Sequence, residues 1–404
     1  MTRHAMRNAI HHLGNSLRSR LACALAAALA IGFAAVAEEY PVLVNYPGDV
    51  GKQGWHLTGS EAGKIVYIPF EGYYESKGGR IEGPKFTFDK KEGETAFYQL
   101  TYTAKSRSTG YWWCDFFDKD DNLLPDINSR LYLDNEWHTY TVQFPCDPRA
   151  VKGQLAFIAS KGCTVKDVSL RRVSVETAAK WCDDYYAKLP QVKMDVPDDP
   201  FHYLPKTRKA LQEGRKLRVV LLGDSIVNDT YCSCFTALVM RDFPNVEFII
   251  SVRGSTGVYY YHEAEHFEDY CAKYKPDLVM IGGISNHAST NYDVIQDNTE
   301  ETIDRCRAIG AEVLVMTPPP SYEWRWSSQQ TEWNENFACW AYAKWMKKMQ
   351  FWTPMWQAYQ RKACANKQVA LWDMTTDPAN TISYSRKPLG WFKRDGAHND
   401  DRGK

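Results

Sequence analysis

Two kinds of hydrophobic pattern divide this chain. Between residues 41 and about 175, short runs rich in aromatic and β-branched residues are separated by Gly, Asp and Asn turns. Ala96 to Tyr102 alternates apolar and polar positions; Gly110 to Phe117 follows, then Trp137 to Phe144, Leu155 to Ala159 and Val165 to Val173. Period-two runs broken by turn residues predict an antiparallel β-sandwich. From Arg218 the runs become short and wholly apolar: Val219–Leu222, Val246–Ile250, Leu278–Ile281, Val313–Met316 and Val369–Leu371. Helix-compatible stretches lie between them, at about 230–241, 262–273, 293–309 and 333–364. Apolar strands alternating with helices predict a mainly parallel sheet covered on both faces, an α/β fold with its functional loops at the C-terminal strand ends. A connector, about 176–216, joins the halves; Ala178 to Leu189 is helix-compatible, and Pro190, Pro197, Pro200 and Pro205 predict extended chain after it.

The first 37 residues change the picture of where the protein works. Arg3, Arg7, Arg18 and Arg20 form a basic start without acidic residues, Leu21 to Ala34 is apolar, and Ala35-Val36-Ala37 is a cleavage signal of the A-x-A kind. This predicts a signal peptide cut near Ala37 and a secreted or periplasmic protein. Of 49 basic residues, 45 then remain against 49 acidic ones, so there is no basic footprint for nucleic acid. No later run of about 18 apolar residues predicts a membrane span, so no stable membrane insertion is expected after cleavage. Ten of the eleven cysteines remain in the mature chain; Cys146 with Cys163, and Cys232 with Cys234 or Cys271, are possible disulfides among which the sequence does not choose.

Candidate chemistry sits on four segments that fall after strands or in the last loop. Gly223-Asp224-Ser225 follows the first apolar run. A serine at the start of a helix has backbone N–H groups and a favourable dipole beside it, which suit a developing oxyanion; the bland alternative is an N-cap made by Asp224 or Ser225. His398 is the candidate base, and Asp395, three residues earlier, can orient its imidazole; an ordinary Asp-Gly surface turn fits the same residues. Gly254 permits close backbone approach, and the Asn286 amide can donate to the same oxyanion.

Taken together, Gly223-Asp224-Ser225, Gly254, Gly283 with Asn286, and Asp395-x-x-His398 resemble the SGNH hydrolase (GDSL esterase/lipase) superfamily over about residues 217–404. The resemblance implies a three-layer α/β/α domain in which Ser225 is nucleophile and first oxyanion donor, Gly254 and Asn286 are the other donors, His398 is the base and Asp395 orients it, with no cofactor and no metal. Two departures stand out. The third block reads Gly283-Ile284-Ser285-Asn286-His287 where the superfamily usually has Gly-x-Asn-Asp, which leaves Ser285 and Asn286 both eligible for the donor position. The chain also stops six residues after His398, where members usually continue into a last helix.

Other motifs compete. His262-Glu263-Ala264-Glu265-His266 matches H-E-x-x-H, which on one helix face would hold zinc for a metallopeptidase; a polar helix face is the simpler reading. Half of the 14 tryptophans lie in 321–358. Packed helix stripes account for most of them, while Trp324 and Trp326, after Pro318-Pro319-Pro320, are candidates to line a substrate cleft. Asp118, Asp120 and Asn122 form either a calcium loop or a plain hairpin turn. Tyr111-Trp112-Trp113, Glu136-Trp137-His138 and Val165 to Leu170 resemble β-sandwich carbohydrate-binding modules. The expected organisation is a signal peptide at 1–37, a sandwich at 38–175, a connector at 176–216 and an SGNH-type domain at 217–404. The expected activity is removal of acyl groups, O-acetyl above all, from a polysaccharide or oligosaccharide. A lipase or general carboxylesterase on the same site, and an inactive glycan-binding protein, are the rival readings.

Overall fold

In this computed structural model the described residues are 40–46, 55–58, 65–68, 73–76, 80–106, 110–131, 136–159, 163–191, 196–252, 261–282, 292–319, 353–387, 391–393, 398–399 and 402–403. Among these, eleven strands build two antiparallel sheets: β1 (Val42–Tyr46), β2 (His56–Thr58), β3 (Ile65–Ile68), β4 (Tyr73–Ser76), β5 (Arg80–Thr87), β6 (Ala96–Ser106), β7 (Gly110–Phe117), β8 (Leu123–Leu131), β9 (His138–Cys146), β10 (Lys152–Ala159) and β11 (Cys163–Val173). One sheet has the order β3-β4-β11-β6-β9, with β1 also paired to β11; the other has the order β2-β5-β10-β7-β8. The alternation seen in the sequence is real. Along β7, Trp112, Cys114 and Phe116 are buried while Tyr111, Trp113, Asp115 and Phe117 face the other way. Strand β8 pairs with β7 in two registers, because Cys114 opposes Ile127 but Phe116 opposes Leu124. Asp115 therefore faces two residues, Pro125 and Asp126. This is a β-bulge, and proline is tolerated there on an edge strand.

Two helices cross the connector, α1 (Val175–Tyr186) and α2 (Pro205–Gln212). The second differs from the extended chain expected around Pro205. Proline is favourable at a first helical position, because its missing N–H has no intrahelical partner there. No local side chain caps α2; instead Glu312 accepts from Lys206 N and Thr207 N, both at 2.7 Å.

Five parallel strands follow: β12 (Leu217–Gly223), β13 (Val246–Val252), β14 (Leu278–Ile281), β15 (Glu312–Met316) and β16 (Ala370–Trp372), in the order β13-β12-β14-β15-β16. Between and after them run α3 (Ser225–Cys232), α4 (Phe235–Asp242), α5 (Ala264–Tyr270), α6 (Tyr292–Ala308), α7 (Thr353–Lys367) and α8 (Thr376–Ser385). Both sheet faces are buried, which is why the strands read as unbroken apolar runs. Val220, Leu222, Val279, Ile281 and Val315 pack with Phe267, Ile295 and Ile303 on one side. On the other, Val219, Leu221, Phe248 and Met280 join a core that runs through Val227 and Tyr231 into Phe144, Phe157 and Tyr98 of the sandwich. Residues Pro41–Lys404 thus form one compact unit. No described helix is long and apolar enough to cross a membrane.

Cys146, Cys232, Cys234 and Cys271, the described members of the disulfides the sequence allowed, are all free thiols. Cys182 Sγ lies 3.4 Å from the Cys234 carbonyl, within a small core of Phe97, Val173, Ala178 and Ala237. Cys271 neighbours Cys306. The Cys146 thiol is fully buried and burial pushes its pKa well up.

Candidate active site

Gly223 ends β12, and an added Cβ there would lie 2.3 Å from Val227 Cγ2 and 2.4 Å from the Gly282 carbonyl oxygen. Only glycine fits where β12 and β14 run side by side at their ends. Tyr261, fully buried, donates its hydroxyl to the Gly223 carbonyl at 2.6 Å. Asp224 has extended backbone and its side chain accepts from Ile226 N at 2.9 Å, so it caps α3. The N-cap reading is thus satisfied by Asp224, and Ser225 is left at the first helical position with its own side chain free to act elsewhere. Its N–H is one of the first-turn donors that no helix carbonyl can satisfy.

Ser225 Oγ lies 2.8 Å from His398 Nε2. The two are 173 residues apart in sequence, and an antiparallel backbone bridge pairs Lys393 with Asn399, the residue after the histidine. Asp395, Gly254, Asn286, Trp324 and Trp326 lie outside the described residues. Beta-strand order places Ser225 beside the junction of β12 and β14. There the chain reverses its direction of travel across the sheet, and ligands bind at such points in open α/β folds.

A cleft of about 810 Å³ opens at Ser225. One wall is the α/β half: Asn228 and Asp229 of α3, the end of β13, and Tyr270, Lys273 and Tyr274. The opposite wall is the sandwich: Trp113, Asp115 and Asp126 at the bulge, with Asn128 and Arg149. Three features of this wall escaped the sequence reading. Asp126 accepts from Trp113 Nε1, from Asn128 Nδ2 at 3.4 Å and from Asn228 Nδ2 at 2.9 Å, tying the bulge to the helix that carries Ser225. Arg149 donates to both oxygens of Asp147 at 2.7–2.9 Å, to Tyr274 Oη and to the Ile250 carbonyl, each at 2.6 Å. Burial works against its charge, but Asp147 and Tyr274 outweigh that and hold its pKa above the ordinary value. Asp115 pairs with Arg80; burial raises its pKa, Arg80 opposes the rise and Asp126 adds to it. Helical spacing from Ser225 could have marked Asn228, one turn on; nothing local marks Asp126 or Arg149.

The competing motifs resolve differently. Glu263 is the residue before α5 and His262 lies outside that helix, so the two histidines do not share a helical face. His266 Nδ1 sits 3.3 Å from Glu263 Oε2. Among the described residues no group of three metal-ligating side chains gathers. Asp118 spends its carboxylate on the turn itself, accepting from Asp120 N and Asn122 N at 2.9 Å and from Asn122 Nδ2 at 3.1 Å. Of the aromatic segments, Trp112 belongs to the core and Trp113 to the cleft, while lysines 105 and 166 cover Trp137 at 4.7 and 4.6 Å from its ring centre.

No protein-family model matches the chain, and no curated protein does. Solved structures similar to it include a two-domain esterase active on acetylated mannans, at 16% identity and TM-score 0.38, covering 53% of this chain and 53% of that one. An acetyl xylan esterase aligns at 18% identity and TM-score 0.35, over 46% of this chain and 93% of that one. The enzymatically active domain of bacteriophage CBA120 tailspike protein 4 aligns at 17% identity and TM-score 0.25; the match covers 31% of this chain and only 20% of that one. At such scores and identities these likenesses carry no argument about activity.

Proposed function

We propose that this protein is an exported serine ester hydrolase of the SGNH type that removes acyl groups, O-acetyl above all, from a polysaccharide or oligosaccharide. The observation that carries the reading is the 2.8 Å contact between Ser225 Oγ and His398 Nε2 at the C-terminal edge of a parallel sheet. In this reading Ser225 Oγ attacks the ester carbonyl as His398 Nε2 takes its proton. The same imidazolium then gives that proton to the departing sugar oxygen. Water, deprotonated by His398, cleaves the acyl-enzyme and restores the serine. Asp395 orients the imidazole. The Ser225 N–H, the Gly254 N–H and the Asn286 amide hold the oxyanion, each worth about 3–4 kcal/mol in the barrier for a donor of this kind. Export rests on the charge and apolar pattern of the first 37 residues. The sugar preference is supported by a cleft rich in carboxylate and amide side chains with an indole in one wall.

The test is acetate release from acetylated polysaccharide and from a small aryl acetate, comparing the mature protein with Ser225→Ala. Release from both, reduced roughly 10⁴-fold or more by the substitution, is the expected result. Release from neither by well-folded protein sinks the esterase reading and leaves a glycan-binding role.

A further inference from the structure

Asn228 has an amide that is only half used. It is 7% exposed, and its Nδ2 donates to Asp126 Oδ1 at 2.9 Å. Its Oδ1 is buried in the cleft wall and meets no donor among the described residues. An amide oxygen kept from water without a partner costs about 1–3 kcal/mol, so a native fold that retains one has a use for it. Because Nδ2 is committed to Asp126, the oxygen is fixed as the free end and can only accept. Asn228 follows Ser225 by one helical turn, so the two side chains stand on the same side of α3. An acceptor in that position suits a hydroxyl on the alcohol half of an ester bound at Ser225.

Charge narrows the alcohol further. Among the described residues, Asp126 and Asp269 line the cleft against Lys273, while Asp115 and Arg149 are already paired with Arg80 and Asp147. An excess of carboxylates on the described walls repels an anionic ligand, and a low-dielectric wall strengthens the repulsion. Trp113 offers an aromatic surface in the same wall, held by its Nε1–H to Asp126. Sugar rings fit all three features: hydroxyl donors, no charge, and an apolar ring face.

Building on the esterase reading, we propose that Asn228, Trp113 and Asp126 form the subsite for the alcohol half of the substrate. Asn228 Oδ1 accepts a hydroxyl of an uncharged sugar, Asp126 holds the amide in that orientation, and uronate-type sugars are excluded.

Two measurements on the full mature chain test this. The first titrates Ser225→Ala, which cannot turn over, with acetylated manno-oligosaccharide and with acetylated oligogalacturonate, following tryptophan fluorescence. The neutral oligosaccharide should bind at least tenfold tighter than the uronate, and adding Asn228→Ala should weaken it about tenfold or more. Equal binding of the two sugars, or binding indifferent to Asn228→Ala, overturns the proposal. The second compares kcat/KM on the neutral oligosaccharide and on a small aryl acetate. For Asn228→Ala the loss on the oligosaccharide should exceed the loss on the aryl ester about tenfold, mostly in KM, and for Trp113→Phe about threefold. Parallel losses on both substrates would make these residues structural and overturn the subsite. If the Asn228→Ala protein melts early, Trp113→Phe, altered on the sandwich side alone, decides the question in its place by the same comparison. Binding that depends on Asn228 without any acetate release would instead refute the esterase reading and leave the subsite standing.

Discussion

The two walls of the cleft are built from opposite kinds of information. The wall on the parallel sheet is local. A strand ends at Gly223, Asp224 caps the next helix, and Ser225 is presented at its first position within three residues of chain. The sandwich wall is assembled from a distance. Asp126 sits 102 residues from Asn228, and Arg149 reaches Ile250 and Tyr274, 101 and 125 residues away. One wall can be read as a motif and the other only as a fold. The continuous core from Tyr98 to Phe248 explains why they act together: the sandwich is packed onto the α/β half and shares its apolar interior.

The sharpest way to break that pairing is Arg149→Ala. Asp147 is fully buried, and Arg149→Ala takes the guanidinium from its carboxylate, leaving it the backbone N–H of residue 149, while also releasing Tyr274 and the Ile250 carbonyl. Breaking a buried pair from one side costs about 3–5 kcal/mol. Denaturant unfolding should show one cooperative transition in the parent protein and a lower midpoint for both halves in the variant. A sandwich that unfolds separately while aryl-ester activity keeps its original midpoint would show that the walls are independent. Gly223→Ala should have the next largest effect, this time on the local wall alone. Its methyl would collide with the Gly282 carbonyl of the neighbouring strand, and backbone gives way less readily than a side chain. Overpacking of this sort costs about 1–3 kcal/mol. Because the strain sits two residues before Ser225, activity should fall more than a hundredfold in a protein that still folds; full activity would mean that Ser225 is positioned by something other than this turn.

Legibility follows the same division. All five parallel strands were visible as apolar runs; burial on both faces keeps β12 to β15 apolar, while at the edge strand β16 Leu371 is exposed. The sandwich strands β6, β7 and β9 to β11 were visible through alternation. Strand β8 was not, since Leu123-Leu124-Pro125-Asp126 carries a proline and a bulge that destroy the period of two. Helix α2 was missed because Pro205 looks like a breaker when its cap, Glu312, lies on a strand more than a hundred residues on. At the site, Ser225 and His398 could be nominated from their neighbours and are brought together. Gly254, Asn286, Asp395, Trp324 and Trp326 fall outside the described residues. His262 and His266 show the reverse failure, a local motif that the helix start at Ala264 takes apart.

Asp373 offers the smallest test, and one confined to the α/β half. Its Oδ1 accepts from Thr317 Oγ1 at 3.2 Å, Gln357 Nε2 at 2.9 Å, and Thr375 N and Thr376 N at 3.1 Å, while Oδ2 pairs with Arg361. Burial raises its pKa, but Thr376, Arg361 and the Thr375 N–H outweigh that and leave the carboxyl below the usual carboxylate value. A carboxyl held low in the folded state stabilises the protein in full above the unfolded value of about 3.9, and that contribution fades as pH falls through the lower folded value. Asp373→Asn should therefore cost about 1 kcal/mol at pH 7, since its partners are partly exposed. The gap between variant and parent should narrow below about pH 4. It should leave the selectivity between neutral and uronate sugars unchanged, because Asp373 lies at the end of β16 and outside the Ser225 cleft. Melting curves across pH decide the first point. A difference that persists undiminished at about pH 2, well below the unfolded value, would mean that Asp373 acts through shape rather than charge. An altered sugar selectivity would mean that the cleft is coupled to the far edge of the sheet as well as to the sandwich.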